Sequence, residues 1–445
     1  MRKQIYFLIF LGTLAFLIRV SFISKVGVKE SADGLLYSNI ALNLLQGEGF
    51  TQTIRSYEFI VPPLYPLFLT FVYLLFGIEN YLSVVIIQSF FSAITCLLIY
   101  LIGKKLFNTG VGVLSSLYFA IYPVSIWWNS YFLTETIYTF FLVLFVWYLI
   151  FLFSKNKIAA GELIFSGVIL GLCNLVRPNI ILFFPFLLLW VFLIHKKNYL
   201  KYFSLIFLGM IIIIAPWILY VYTSYGIIAP IGSYGLEQVW LGNNEFMNPN
   251  IYYSGNLYID NSQFQKTQQE IIRLPQCEKY RYIDAQCQDV YKKEIKDFII
   301  NHPNKFILNS LKKYLTFWKP VNLNISVFES IPLFQELNEP INRLYRYLIY
   351  LLPIGILLTI IPIIYKPNYN VLILFILIYY SLLVSSAIIV YGARYRLPIM
   401  PFAIMYMFSP IVEVFKLINN KFRIRERFFK ILHLKKSWQD RENQF

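Results

Sequence analysis

The chain has 445 residues, 58% of them hydrophobic and only 14% charged, with a formal net charge of +16. Soluble domains carry about 25% charged residues, so too little polar surface is available here to cover a water-soluble globule, as the mean hydropathy of +0.60 also says. The apolar residues come in long blocks, which indicates an all-α polytopic membrane protein and excludes a β-barrel, whose strands read as short alternating segments.

The positive charge is spread in short clusters between apolar runs and in the tail after Phe415. That is the pattern of topology signals and of contact with anionic membrane lipids, and it argues against nucleic-acid binding. In chain order, apolar runs near 4–24, 81–102, 111–128, 132–153, 161–177, 179–195, 202–223, 342–365, 370–390 and 397–417 predict about ten membrane helices. The first run lacks a small-residue cleavage site and reads as a retained helix, not a signal peptide. The run 64–77, "LYPLFLTFVYLLFG", is too short to span and predicts a short, re-entrant or interfacial helix.

With Arg2 and Lys3 inside, the pairs Lys104–Lys105, Lys155/Lys157 and Lys196–Lys197 and the basic tail also fall inside. Both termini are then cytoplasmic, and two hydrophilic regions face outside. The expected division is a membrane module over 1–223 with an outside loop at 25–80, an outside region over 224–340 with interfacial helices, membrane helices over 341–417, and a basic tail over 418–445. Apolar residues at near-helical spacing on both sides of Pro303 predict two helices there. Cys277 and Cys287 share the outside region, where a disulfide is plausible; Cys96 and Cys173 lie in apolar runs.

The first outside loop contains "KESADGLLYSNIALNLLQGEGF", Lys29 to Phe50. Leu36, Ile40 and Leu44 recur at helical spacing, Ser38, Asn39, Asn43 and Gln46 fall on the other side, and Gly47 ends the pattern. This predicts a short amphipathic helix suited to the interface. Asp33 sits at its start. It is either an N-cap, which Asp favours, or a carboxylate at the bilayer edge able to take a proton from a hydroxyl. Glu135 opens the apolar part of the fourth run. It is either an acid favoured by the helix dipole or a functional group with a partner or a wet cavity. Arg177, in "LVRPN", and Arg394 and Arg396, in "YGARYRLPIMPF", are outside arginines set against the positive-inside tendency. They bind phosphate oxygens or contact lipid headgroups. No Gly-rich nucleotide loop, no nucleophilic Ser/His/Asp arrangement and no Cys/His metal spacing is present, so the sequence calls for no cofactor and does not require a divalent metal.

The ordered set of segments resembles a family. "ADGLLYSNIALNLLQGEGF", "PPLYPLFLTFVYLLFG", "LTETIYTFFLVLFVWYL", "LVRPN", "NHPNKFILNSLKKYLTFWKP" and "GARYRLPIMPF" are similar to segments of the bacterial relatives of protein O-mannosyltransferases and lipid A aminoarabinose transferases. The resemblance covers most of the chain. It implies a GT-C glycosyltransferase fold that takes a sugar from a polyprenyl-phosphate carrier on the outer face of the cell membrane. It also implies Asp33 as catalytic base, Glu135 as the second outside acid positioning acceptor or donor, and Arg394 and Arg396 as ligands of the leaving phosphate. Tyr37 matches the Tyr of the family's first-loop helix, and the resemblance implies it, with Glu30 and Arg177, as a substrate- or phosphate-binding residue. Many members carry two adjacent acids in that loop; here Gly34 follows Asp33, and Glu30, three residues earlier, either substitutes for the second acid or plays no part. The acceptor expected is an envelope glycan, lipid or protein. Two rivals are a lipid-linked oligosaccharide polymerase or ligase, which needs no Asp33 helix, and a transporter or flippase, which should carry mid-span charges and repeats.

Overall fold

The computed structural model describes residues 2–53, 60–226, 235–244, 285–318, 332–365, 369–387 and 392–418. Apolar segments in lipid can close their backbone hydrogen bonds only as helices or closed barrels, and helix is found in the described part of each of the ten runs. The elements are α1 (Arg2–Val26), α2 (Ala32–Gln46), α3 (Leu64–Phe76), α4 (Tyr81–Leu106), α5 (Thr109–Ile121), α6 (Pro123–Asn129), α7 (Thr134–Phe153) and α8 (Ala160–Val176). A 3-10 turn (Pro178–Phe183) then leads into α9 (Phe184–Ile194), α10 (Tyr199–Tyr225) and α11 (Gly235–Gly242). After these come α12 (Ala285–Asn301), α13 (Pro303–Trp318), α14 (Pro332–Tyr365), α15 (Asn370–Ala387), α16 (Gly392–Arg396) and α17 (400–418).

Six stretches among the described residues are long and apolar enough to cross a membrane: α1, α4, α7, α10, Arg343–Ile360 of α14, and Arg394–Ile418. The run expected at 111–128 is α5 and α6, bent by 47°. The bend falls at Tyr122, whose extended backbone precedes Pro123. The runs at 161–177, 179–195 and 370–390 are shorter apolar helices, as is α3. The chain is therefore a polytopic helical membrane protein, and among the described residues six helices, or seven if the bent pair is one span, are long and apolar enough to cross.

Small residues let helices approach closely where no water drives them together. Cβ atoms added at Gly167 and Gly209 would lie 1.9 Å from the Ile206 carbonyl and 2.0 Å from the Ile164 carbonyl, so these glycines fix the α8–α10 crossing. A charged side chain holds another junction. Arg19 is fully buried and donates to Ser92 Oγ at 2.7 Å, the Ala120 carbonyl at 3.1 Å and Ser125 Oγ at 3.0 Å. The bend frees the last carbonyls of α5, and a guanidinium suits a helix C-terminus. Nothing in the hydropathy pattern singles Arg19 out.

The hydrogen bond from Lys104 to Gln4 joins the start of α1 to the end of α4 at one end of the bundle. The opposite end holds the candidate site. As expected, the helices on either side of Pro303 are separate. α13 packs on α15 through Asn309, Lys313 and Phe317 and exposes Ile307, Leu308, Leu311 and Leu315. Trp240, Cys287 and Tyr291 form a small satellite cluster between α11 and α12. Cys287 is disulfide-bonded; Cys277 lies outside the described residues, as does the tail from 419.

Candidate active site

The site is assembled by connectors. The strand-like segment after α1 pairs with the segment before α7: Lys29 N–H donates to the Ser130 carbonyl at 2.9 Å, and Lys29 and Tyr131 form an isolated parallel bridge. The second segment is tied to α4 by buried polar groups. Gln88 donates to the Tyr131 carbonyl at 2.8 Å and accepts from Tyr65 Oη at 2.7 Å, while Asn129 donates to Ser89 Oγ at 2.7 Å. Such groups in a membrane helix are costly unless satisfied; here they hold the backbone that leads to Glu135.

Helix α2 starts against this connector. Its N-cap is Ser31, whose hydroxyl accepts from Gly34 N–H, so the reading of Asp33 as N-cap is corrected. Asp33 is the second helical residue, and its carboxylate is released to point at the bundle. Gly34 lies directly on Phe132: an added Cβ would be 2.9 Å from the ring and 3.0 Å from the Phe132 carbonyl. Gly47, with φ of 82°, closes the helix in the left-handed region. Two residues read as polar-facing are buried. Ser38 lies 2.8 Å from Tyr73 Oη, and Asn43 donates to the Thr51 carbonyl at 3.1 Å. The segment after α2 and helix α3 cover that side, which local periodicity cannot reveal.

Arg177 follows the last residue of α8, where Pro178 ends the helix. The turn that follows is held to α15 by a hydrogen bond from Tyr379 Oη to the Asn179 carbonyl. Arg177 donates Nε to Thr134 Oγ1 at 2.7 Å and Nη2 to Glu135 Oε1 at 2.5 Å. Arg394, at the start of the last span, donates Nε to the same Glu135 oxygen and Nη2 to Asp33 Oδ2 at 3.1 Å. Its guanidinium lies 5.4 Å from the Trp128 ring centroid. Burial pushes the Tyr131 phenol above its usual range, partly offset by the Arg394 charge.

Exposure is graded across this network. The side chain of Asp33 is 44% exposed, that of Arg394 21%, that of Arg177 13% and that of Glu135 0%. Two cations therefore hold one fully buried acid, and a second acid sits at the mouth. Glu135 Oε2 is buried with no hydrogen-bond partner among the described residues. An acceptor oxygen in that state is costly and suits a ligand hydroxyl or amine.

The structure thus brings together Asp33, Glu135, Arg177 and Arg394. It does not bring in Arg396. Two positions apart on one helix is about 200° of rotation, so Arg396 faces away. It is fully buried, donates to the Phe317 carbonyl and lies 5.1 Å from the Tyr345 ring centroid. Glu30 is exposed and bonds to none of the four. Tyr37 is buried on α2, edge-on to Tyr65 at 5.2 Å, beneath the mouth. Thr134 and Trp128 were not singled out in sequence, although both stand beside Glu135 in "WWNSYFLTET". Among the described residues no three His, Cys, Asp or Glu side chains converge as a metal cluster.

Residues 61–220 match the family model described as dolichyl-phosphate-mannose-protein mannosyltransferase. No curated protein matches the chain. Several solved structures resemble it. ArnT from Cupriavidus metallidurans bound to undecaprenyl phosphate is 10% identical, with 92% of this chain and 78% of that chain covered and a TM-score of 0.44. The Archaeoglobus fulgidus oligosaccharyltransferase tethered with an acceptor peptide containing the NVT sequon is 12% identical, with 93% and 50% covered and a TM-score of 0.53. AglB from Archaeoglobus fulgidus in complex with an inhibitory peptide and a dolichol-phosphate is 13% identical, with 94% and 52% covered and a TM-score of 0.52. The chain spans about half the length of the two archaeal proteins. The chain has the GT-C fold that the two archaeal structures share, and within it residues 61–220 are similar to the mannosyltransferase family model.

Proposed function

We propose that this GT-C chain is an inverting membrane glycosyltransferase. It moves a sugar from a polyprenyl-phosphate donor to an envelope glycan, lipid or protein acceptor. The observation that carries this reading is the network Asp33–Arg394–Glu135–Arg177, drawn from four distant parts of the chain to one end of the bundle.

Each group has a role suited to its depth. Asp33, half exposed, takes the proton of the acceptor hydroxyl or amine as that atom attacks the anomeric carbon. The carbon–oxygen bond to the phosphate breaks on the opposite face, and the phosphate leaves with the bonding pair. Arg394 and Arg177 are fixed positive charges for that leaving group, already oriented and shielded from water. Glu135 holds both guanidiniums in place, and its Oε2 accepts from a sugar or acceptor hydroxyl. We place this end outside the cell membrane and both termini in the cytoplasm, because Lys104–Lys105 lie in the last turn of α4, and Lys155/Lys157 and Lys196–Lys197 follow α7 and α9, at the other end. The acids and the two site arginines gather at the outer end, which favours an enzyme over a transporter.

The test uses purified protein in lipid with radiolabelled polyprenyl-phosphate sugars and host envelope as acceptor. Wild type transfers label, and Asp33→Asn loses at least about a hundredfold, as expected for a missing general base. Absence of transfer from every donor in the wild type overturns the reading.

A further inference from the structure

Arg394 is held at two depths. Its Nε bonds Glu135, which is fully buried and also gripped by Arg177. Its Nη2 reaches outward to Asp33 at 3.1 Å, the only one of the four side chains with 44% exposure. The inner contact is locked, because breaking it strands a buried charge. The outer contact is one Nη2 bond to a half-exposed carboxylate, and exposed pairs of that kind contribute little. Trp128 lies against the guanidinium and supports its plane. Arg394 is therefore a fixed fork whose outer arm holds one carboxylate oxygen. Carboxylate and phosphate oxygens meet a guanidinium with the same geometry.

We propose that Asp33 occupies the donor-phosphate position on Arg394, and that the incoming phosphate displaces it and so releases the general base. This inference rests on the transferase reading. Before the donor binds, an Asp33 carboxylate oxygen is engaged by the Arg394 guanidinium and is not turned to the acceptor. Once a phosphate oxygen takes over Arg394 Nη2, Asp33 turns to the acceptor. The exchange swaps one anion for another, so Arg394 never loses its partner and Glu135 never moves. The base becomes competent only when a sugar phosphate is seated, so the donor binds before the acceptor.

The test is a double-mutant cycle on binding, without turnover. Radiolabelled undecaprenyl phosphate is titrated against purified wild type, Asp33→Asn, Arg394→Ala and the double variant in detergent micelles. Asp33→Asn keeps the size of the side chain and removes the competing charge, so it binds about fivefold more tightly than wild type. In the Arg394→Ala background binding is weak and the gain vanishes. If Arg394→Ala does not fold, Arg394→Lys replaces it, because a lysine cannot bridge Glu135 and a phosphate with a planar fork. An equal gain in both backgrounds shows that Asp33 acts only by long-range repulsion and overturns the exchange. No gain overturns it as well. Failure of every variant, wild type included, to bind the carrier overturns the polyprenyl-phosphate reading itself.

Discussion

Asp33 and Arg394 lie 361 positions apart in the chain and 3.1 Å apart in space, and Arg394 makes that contact with the same guanidinium that bonds Glu135. One cation thus connects a hydrated acid to a dry one. The two acids sit in different dielectric surroundings, and their removal has different consequences.

Loss of the dry acid is a stability event. Glu135→Gln takes the buried counter-charge from Arg177 and leaves Arg394 only the half-exposed Asp33, and breaking such a buried pair costs about 3–5 kcal/mol. Asp33→Asn breaks a half-exposed pair and costs about 1 kcal/mol or less. Thermal unfolding in a mild detergent compares them. Equal shifts in Tm for the two variants contradict the graded burial.

Arg394→Lys keeps the charge and loses the fork. A single ammonium cannot satisfy Glu135 and also reach Asp33 or a phosphate. Sugar transfer falls about a hundredfold in kcat, the scale of losing one preorganised donor, with a smaller change in Tm than Glu135→Gln. Activity within a few-fold of wild type removes Arg394 from the leaving-group role.

Arg396 is buried away from the site, against Phe317 and Tyr345. Arg396→Lys lowers Tm and leaves the KM for the donor unchanged. A raised KM at unchanged Tm restores the phosphate-ligand role that the sequence pattern assigns to it.

Gly34→Ala forces a Cβ onto the Phe132 carbonyl, which backbone pairing keeps from retreating. Helix α2 shifts outward and takes Asp33 with it. Stability falls by about 1–3 kcal/mol, and transfer falls by more than this alone explains. Full activity in Gly34→Ala shows that the α2 contact does not set the position of Asp33.

Lys313 on α13 is fully buried, and its ammonium donates to the Gly242 carbonyl at 3.0 Å, with Asn243 and the Ser386 carbonyl nearby. Burial lowers it from the usual lysine value of 10.5 to about 8. Below pH 8 the folded and unfolded states both carry the charge, and the cost of burying it is fully present. Between pH 8 and 10.5 the folded state gives up its proton first, so stability rises with pH. The relief is on the order of 3 kcal/mol by pH 10.5. Lys313→Met lacks this rise, and the difference between the two unfolding curves over that pH range measures it. Parallel curves contradict the burial.

The class of the protein was legible in its residues. Long apolar blocks have only one way to satisfy their backbone in lipid, so runs such as 81–102 and 202–223 became the helices α4 and α10 with little shift. Asp33, Glu135, Arg177 and Arg394 stood out because charge at the edge of a greasy run is expensive. Proline also spoke locally: Pro178 and Pro303 each mark a helix boundary.

Which of those charges meet was decided only by the tertiary structure. Arg394 and Arg396 read as a pair, yet helical rotation sends one to Glu135 and the other to Phe317. Ser38 and Asn43 read as a solvated face and are covered by α3 and the loop after α2. Arg19 fell silently inside an apolar run, and its partners come from α4, α5 and α6. Sequence fixes what a residue costs in lipid, because that depends on its own chemistry. Its partners depend on which distant helices pack beside it, and periodicity within one segment carries no record of that.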